Sequence, residues 1–372
     1  MHPTRRALLG LLGAAALPAA AQPRPVAVGA IRWDAWYAPG SDPTEAMVRG
    51  LSPMPWRGRA PFFAEVPAGA APIRLPPPSG AVMDRQIEIA AAAGLDYWAF
   101  LAYPRGSSMS EGFRLYRSSA TRSRVKFCFV TEAVRWGSAA SREEIFAEHP
   151  PLLTDADYQT VGGRPLYMLA FLSDDLIAER WDGIEGLRRA LDEFRARVQA
   201  WGGRNPYIVV MTPVPDQARR WVPALGADAV SAYAYQAGAR EAPYSALAGH
   251  AERAWAAHAA LGIPVIPTAM SGWDRRPRVQ TPVPWEGWQR AGEGMDRYYA
   301  APTSAELTRH LGAAVGFAAR QPHRTALVYA WNENDEGGAI IPTHPFDDTR
   351  LRAVREALCE PRPAERCVRR AT

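Results

Sequence analysis

Among 43 basic residues the 372-residue chain has a single lysine, Lys126, and it has only three cysteines. The arginines that make up the rest are scattered rather than gathered into a stripe, so nucleic acid is not expected as a partner. The formal charge of +5 is modest, and Arg5 and Arg6 contribute part of it. Cys128 sits inside the apolar run 125–130 and reads as an inert core thiol. Cys359 and Cys367 lie near the C-terminus with prolines between them, and in an oxidising compartment they could close a small loop. Their spacing does not suit zinc, and no histidines cluster beside them.

Long apolar runs are missing as well. The one near the start, residues 7–17, is too short to cross a bilayer. Thr4-Arg5-Arg6 gives it a positive head, and Ala19-Ala20-Ala21 offers a small-residue cleavage site before Gln22. Residues 1–21 therefore read as a signal peptide, with an arginine pair compatible with twin-arginine export; a retained anchor is the competing reading. The mature chain, 22–372, is expected to be periplasmic or secreted, with no stable membrane insertion after signal cleavage. Three chemical signatures are absent too. No Gly-x-Ser-x-Gly elbow and no His-Glu-x-x-His spacing occur, and residues 31–37 carry no glycine-rich phosphate loop. His149, His250, His258, His310, His323 and His344 read as surface or helix histidines. No metal and no cofactor is expected.

What is present is an alternation of strand-like and helix-like segments after Pro23. Apolar runs at 26–31, 95–101, 125–130, 165–171, 207–211, 229–235, 263–269 and 325–329 read as eight strands. A proline- and glycine-rich loop is expected over 39–80. Helices are expected at 83–93, 183–201, 217–225, 244–261, 303–317 and 350–358. In the second of these Ile184, Leu187, Leu191, Phe194 and Val198 recur at helical spacing. Thr303-Ser304-Ala305-Glu306 has the capping-box pattern. Eight apolar strands separated by helix-sized segments argue for parallel pairing with both faces covered. The expected fold is α/β, a single-domain (β/α)8 TIM barrel, with a doubly wound open sheet as the alternative.

In such a barrel the side chains just beyond the strand C-termini converge on one open face. The last strand delivers the densest chemistry: Trp331-Asn332-Glu333-Asn334-Asp335-Glu336-Gly337-Gly338. Two glutamates three residues apart repel when both are ionised, so one tends to hold a proton, the state an acid beside a base needs. A solvated acidic loop is the bland alternative. The other strand ends supply Asp34, Trp36 and Tyr37, then Tyr103, Glu132, Tyr235, Trp273 and Asp274. This set is rich in aromatics and carboxylates. Rings offer flat faces to the C–H face of a sugar, while carboxylates and amides take hydroxyl hydrogen bonds. A neutral oligo- or polysaccharide fits better than a phosphate. Trp33, Phe100 and Tyr233 read as barrel-top packing, and Asp274, beside Arg275 and Arg276, could be a structural ion pair.

Three segments then carry a family resemblance. Asn332-Glu333-x-x-Glu336-Gly337 after the last strand resembles the signature of glycoside hydrolase family 99 and its WbsX-like relatives. Gly272-Trp273-Asp274-x-x-Pro277-Arg278 is similar to a second motif of the WbsX-like group. Met83-Asp84-Arg85-Gln86-Ile87 with Gly94-Leu95-Asp96 resembles a third. The family usually has an aromatic residue where this chain has Asn334, and Asp335 adds a third acid to the loop. The resemblance implies hydrolysis of α-linked glycans with retention and without metal. It implies Glu333 as the base on the sugar 2-hydroxyl and Glu336 as the acid on the leaving oxygen. Asn332 would orient the pair. Asp34, Trp36, Tyr37, Tyr103, Glu132, Tyr235, Trp273, Asp274 and Asp335 would contact substrate. A non-catalytic glycan-binding or polysaccharide-assembly protein on the same barrel is the alternative.

Overall fold

The computed structural model describes residues 25–359, so the expected signal peptide and Cys367 lie outside the described residues. Eight strands build the centre: β1 (Ala27–Arg32), β2 (Tyr97–Leu101), β3 (Lys126–Glu132), β4 (Arg164–Ala170), β5 (Tyr207–Met211), β6 (Ala229–Ser231), β7 (Thr268–Met270) and β8 (Thr325–Tyr329). Their order in the sheet is β6-β5-β4-β3-β2-β1-β8-β7, and every neighbouring pair is parallel. The first and last strands thus lie side by side, with Ala27 opposite Thr325. A bridge rather than a full ladder joins the two ends of the sheet. The Val230 N–H donates to the Pro264 carbonyl, and the Ile266 N–H to the Val230 carbonyl, each at 2.9 Å. The result is a (β/α)8 barrel.

All five residues of β2, β5 and β8 are buried. Helices cover the outer faces and packed side chains fill the inside, which is why these strands read as unbroken apolar runs. A charged residue nevertheless lies inside the barrel. Arg32 is fully buried, its guanidinium 4.3 Å from the Trp98 ring centre and 2.8 Å from an Asp34 oxygen. Aromatic faces and a carboxylate together compensate its lost hydration. The capping box forms in both halves ahead of the helix Ser304–Ala319.

Three expectations need correction. The seventh strand was expected over 263–269, but its regular part is Thr268–Met270. Pro264 and Pro267 have no N–H to give a ladder, so the chain before Thr268 runs beside β6 and β8 through isolated bonds. The expected loop 39–80 contains a helix, Asp42–Leu51, and a 3-10 turn, Met54–Arg59. Pro43 stands in the first turn, where its missing N–H costs nothing, and Met47 and Leu51 bury the helix against the core. Of the histidines, His149, His250, His258 and His310 lie on helices, as expected, but His323 is on neither a helix nor the surface and is buried in a turn. Burial pushes His149 down to about 3 and His323 to about 4, so both are neutral packing groups at ordinary pH. Among the described residues, no helix is long and apolar enough to cross a membrane.

Candidate functional site

The barrel opens at the C-terminal ends of its strands into a cavity of about 530 Å³. Trp33 comes from the end of β1, Tyr103 from β2, Glu132 from β3 and Phe171 from β4. Tyr233 follows β6, Trp273 follows β7, and Glu333 and Glu336 follow β8. Side chains from seven strands therefore meet here, the convergence that parallel strands of a barrel impose. Trp285 leans over the mouth, edge-on to Trp33 at 5.6 Å between ring centres.

Glu333 and Glu336 are 3% and 6% exposed, enough to face the cavity and little enough to be largely stripped of water. Both reach one guanidinium, that of Arg278 on the short helix Arg276–Gln280. Arg278 Nη1 donates to Glu336 Oε1 at 2.5 Å, and Nη2 lies 3.4 Å from Glu333 Oε2. Its Nε donates to Asp335 Oδ2 at 2.5 Å, and Nη1 also meets Glu286 at 3.2 Å. Burial alone would make Arg278 easier to deprotonate. Asp335, Glu336 and Glu333 around it outweigh that and hold it firmly protonated.

Two tyrosines complete the cluster. Tyr233 donates its hydroxyl to Glu333 Oε1 at 2.6 Å, and Tyr329 donates to Glu336 Oε2. The Tyr329 contact depends on Gly338. A Cβ at 338 would come within 2.5 Å of the Tyr329 ring, so any larger residue displaces the tyrosine. Gly337 has φ +70°, a left-handed conformation that lets the chain double back after Glu336. Arg275 adds a second cation 3.0 Å from Glu336.

The two glutamates are electrostatically unequal. Burial, and then the charge of Glu336, push the Glu333 carboxyl up to about 8, with Arg278 pulling in the opposite direction. At neutral pH Glu333 holds a proton while Glu336 is ion-paired to Arg278 and Arg275. One proton thus sits between two acids that face the same hollow, the prerequisite for acid/base work.

Five of the expected contact residues line this cavity: Tyr103, Glu132, Trp273, Glu333 and Glu336. The other seven do not. Asp34 lies beneath the floor against Arg32, and burial pushes its carboxyl up despite that partner. Tyr37 bonds Arg32 and Gln86 at 2.8 and 2.9 Å, and Trp36 Nε1 donates to the Asn332 carbonyl at 3.0 Å. Asn332 is a brace: its Oδ1 accepts from the Trp33 N–H at 2.9 Å and its Nδ2 donates to Asp34 at 3.0 Å. Tyr235 is fully buried beside His258, because the chain turns inward after β6 ends at Ser231. Asp274 accepts from the Arg276 N–H at 3.2 Å and pairs with Arg59 and Arg276. Those arginines outweigh burial and hold its carboxyl below the usual range. Asp335 is spent on Arg278. Conversely Trp33 and Tyr233, read as packing, line the cavity. Arg278 was visible only as the last residue of a motif, and nothing in the sequence marks Glu286 or Trp285.

No protein-family model and no curated protein sequence matches the chain. Among solved structures it is similar to the GH99 endo-alpha-mannosidase of Bacteroides thetaiotaomicron in complex with BIS-TRIS-propane. That match has a TM-score of 0.54 at 14% identity over 90% of this chain and 96% of that one. A second structure of the same organism's enzyme gives 0.52 and 14%, over 88% and 95%. The chain is thus GH99-like in architecture along nearly its whole described length.

Proposed function

We propose that the protein is a glycoside hydrolase that cleaves α-linked glycans, with Glu333 and Glu336 as its working pair. One observation carries the reading: a proton-holding glutamate and an ion-paired glutamate open together into an aromatic-lined cavity at the catalytic end of a barrel. The α-linkage draws on the motif around Glu333 and on a fold shared with an endo-alpha-mannosidase. In the assigned roles Glu333 takes the proton of the sugar 2-hydroxyl. That oxygen attacks the anomeric carbon as the glycosidic bond breaks, and Glu336 delivers a proton to the leaving oxygen. Water, deprotonated by Glu336, then opens the anhydro-sugar with net retention, and the proton on Glu333 returns to the 2-oxygen. A carboxylate with a raised affinity for protons is the stronger base, which suits it to a sugar hydroxyl. The cost is population: in the free site the proton sits on Glu333, so the form with Glu333 ionised and the proton on Glu336 is the minor one.

Two features favour other readings. Glu336 is the more closely ion-paired member in the free site, 2.5 Å from Arg278 against 3.4 Å for Glu333, so exchanged roles are the competing assignment. All three loop acids meet on Arg278, which suits a non-catalytic glycan-binding or assembly protein on the same barrel. A panel of α-glycans, with release of reducing sugar as the readout, separates hydrolysis from binding. Wild-type turnover that falls by orders of magnitude in Glu336→Gln, with affinity kept, supports the hydrolase. Binding without turnover across the panel supports the alternative. Export belongs to the same proposal; its test is the N-terminus of the protein recovered from cell fractions, expected at Gln22.

A further inference from the structure

A neighbouring cavity of about 310 Å³ shares Trp273 with the one above and has the opposite charge. The first sets Glu132, Glu286, Glu333 and Glu336 against two arginines. The second sets Arg275, Arg290 and Arg297 against Glu293 alone. Arg275 is engaged with Glu286 and Glu336. Arg290 and Arg297 line the cavity and, among the described residues, form no ion pair with any carboxylate. A third cavity, which shares Leu101, Tyr103 and Met109 with the first, differs in this respect: its Arg114 and Arg117 are paired with Glu111 and Asp155.

The second cavity also offers a ring to solvent. Trp288 is 67% exposed, with the Arg275 guanidinium 5.4 Å from its ring centre. The Gln236 side-chain oxygen accepts from the Gly238 N–H, which leaves its NH2 group as a donor. A flat apolar face, an amide donor and two uncommitted guanidinium groups match a sugar ring that carries an anionic substituent.

We propose that this cavity is a distal subsite for an acidic sugar, a uronate or a sulfated residue, of the chain whose neutral sugar lies at Glu333 and Glu336. The proposal rests on the glycosidase reading for its cleavage consequences and on the cavity alone for its binding consequences. Matched neutral, uronate-bearing and sulfated α-oligosaccharides test it, in cleavage and in calorimetric binding. The acidic chains are expected to be preferred about three- to tenfold over the neutral one, the range two exposed charge pairs support. The ranking of uronate and sulfate tells which anion the site takes. The Arg290→Ala/Arg297→Ala double variant is expected to lose that preference, as is wild type at about 0.5 M salt, where exposed pairs are screened. Equal treatment of neutral and acidic chains by wild type overturns the subsite, and so does a preference that survives both the double variant and salt. Preferred binding without cleavage keeps the subsite and removes the glycosidase; cleavage without preference does the reverse.

Discussion

Replacing Glu333 by glutamine changes how stability depends on pH, and the sign follows from the proton it holds. In the folded protein this carboxyl titrates near 8, against an ordinary value of 4.5. Below 4.5 both folded and unfolded chains hold the proton, and the residue contributes no slope. Between 4.5 and about 8 the unfolded chain has released it and the folded one has not, so stability falls as pH rises. The slope is at most about 1.4 kcal/mol per pH unit. Above 8 both forms are ionised and the slope vanishes. Glutamine has nearly the same shape, can still accept from Tyr233, and carries no such proton. The variant should match wild type near pH 4.5 and exceed it increasingly up to pH 8, by several kcal/mol at most on the same slope. Chemical denaturation at closely spaced pH values, run on both proteins, reads the difference for the Glu333–Glu336 pair, which titrates as a unit. Parallel curves through this interval would refute the assigned proton.

Arg278→Gln removes the cation common to Glu333, Asp335 and Glu336. It should destabilise by about 3–5 kcal/mol at neutral pH, with a smaller loss in acid, as thermal melting at two pH values would show. Gly338→Ala should push Tyr329 off Glu336 and cut turnover at least tenfold while the far-ultraviolet spectrum stays that of a barrel. Tyr235→Phe should leave substrate affinity unchanged in titration calorimetry, since the ring packs in the core.

The barrel could be read from the chain because its signal is local and repeated. Each strand is an apolar run whose both faces are covered, and the runs at 207–211 and 325–329 coincide with β5 and β8 to the residue. Reading failed where a local rule met a tertiary one. Proline spacing hid the irregular half of the seventh strand. A high proline and glycine content hid the helix Asp42–Leu51, which is held by Met47 and Leu51 against the core. For the site, strand ends identified which segments converge, but not which way each side chain turns. Asp34 and Asp274 look like hydroxyl holders until Arg32, Arg59 and Arg276 are found beside them. Those partners are close in space, and Arg59 is far from Asp274 in sequence. Glu286 stands on the stretch after the Arg276–Gln280 helix, and it reaches the cavity only because Arg275 and Arg278 draw it in.

The pairing of Glu333 with Glu336 as base and acid is tested most directly by the pH profile of kcat/KM on an α-glycoside with a good leaving group, which reports free-enzyme ionisations. A base and an acid that share one proton give a kcat/KM that falls as pH rises through about 8, where the pair loses that proton. A profile that rises through pH 8, or one with no inflection there, would remove the shared proton from the chemistry.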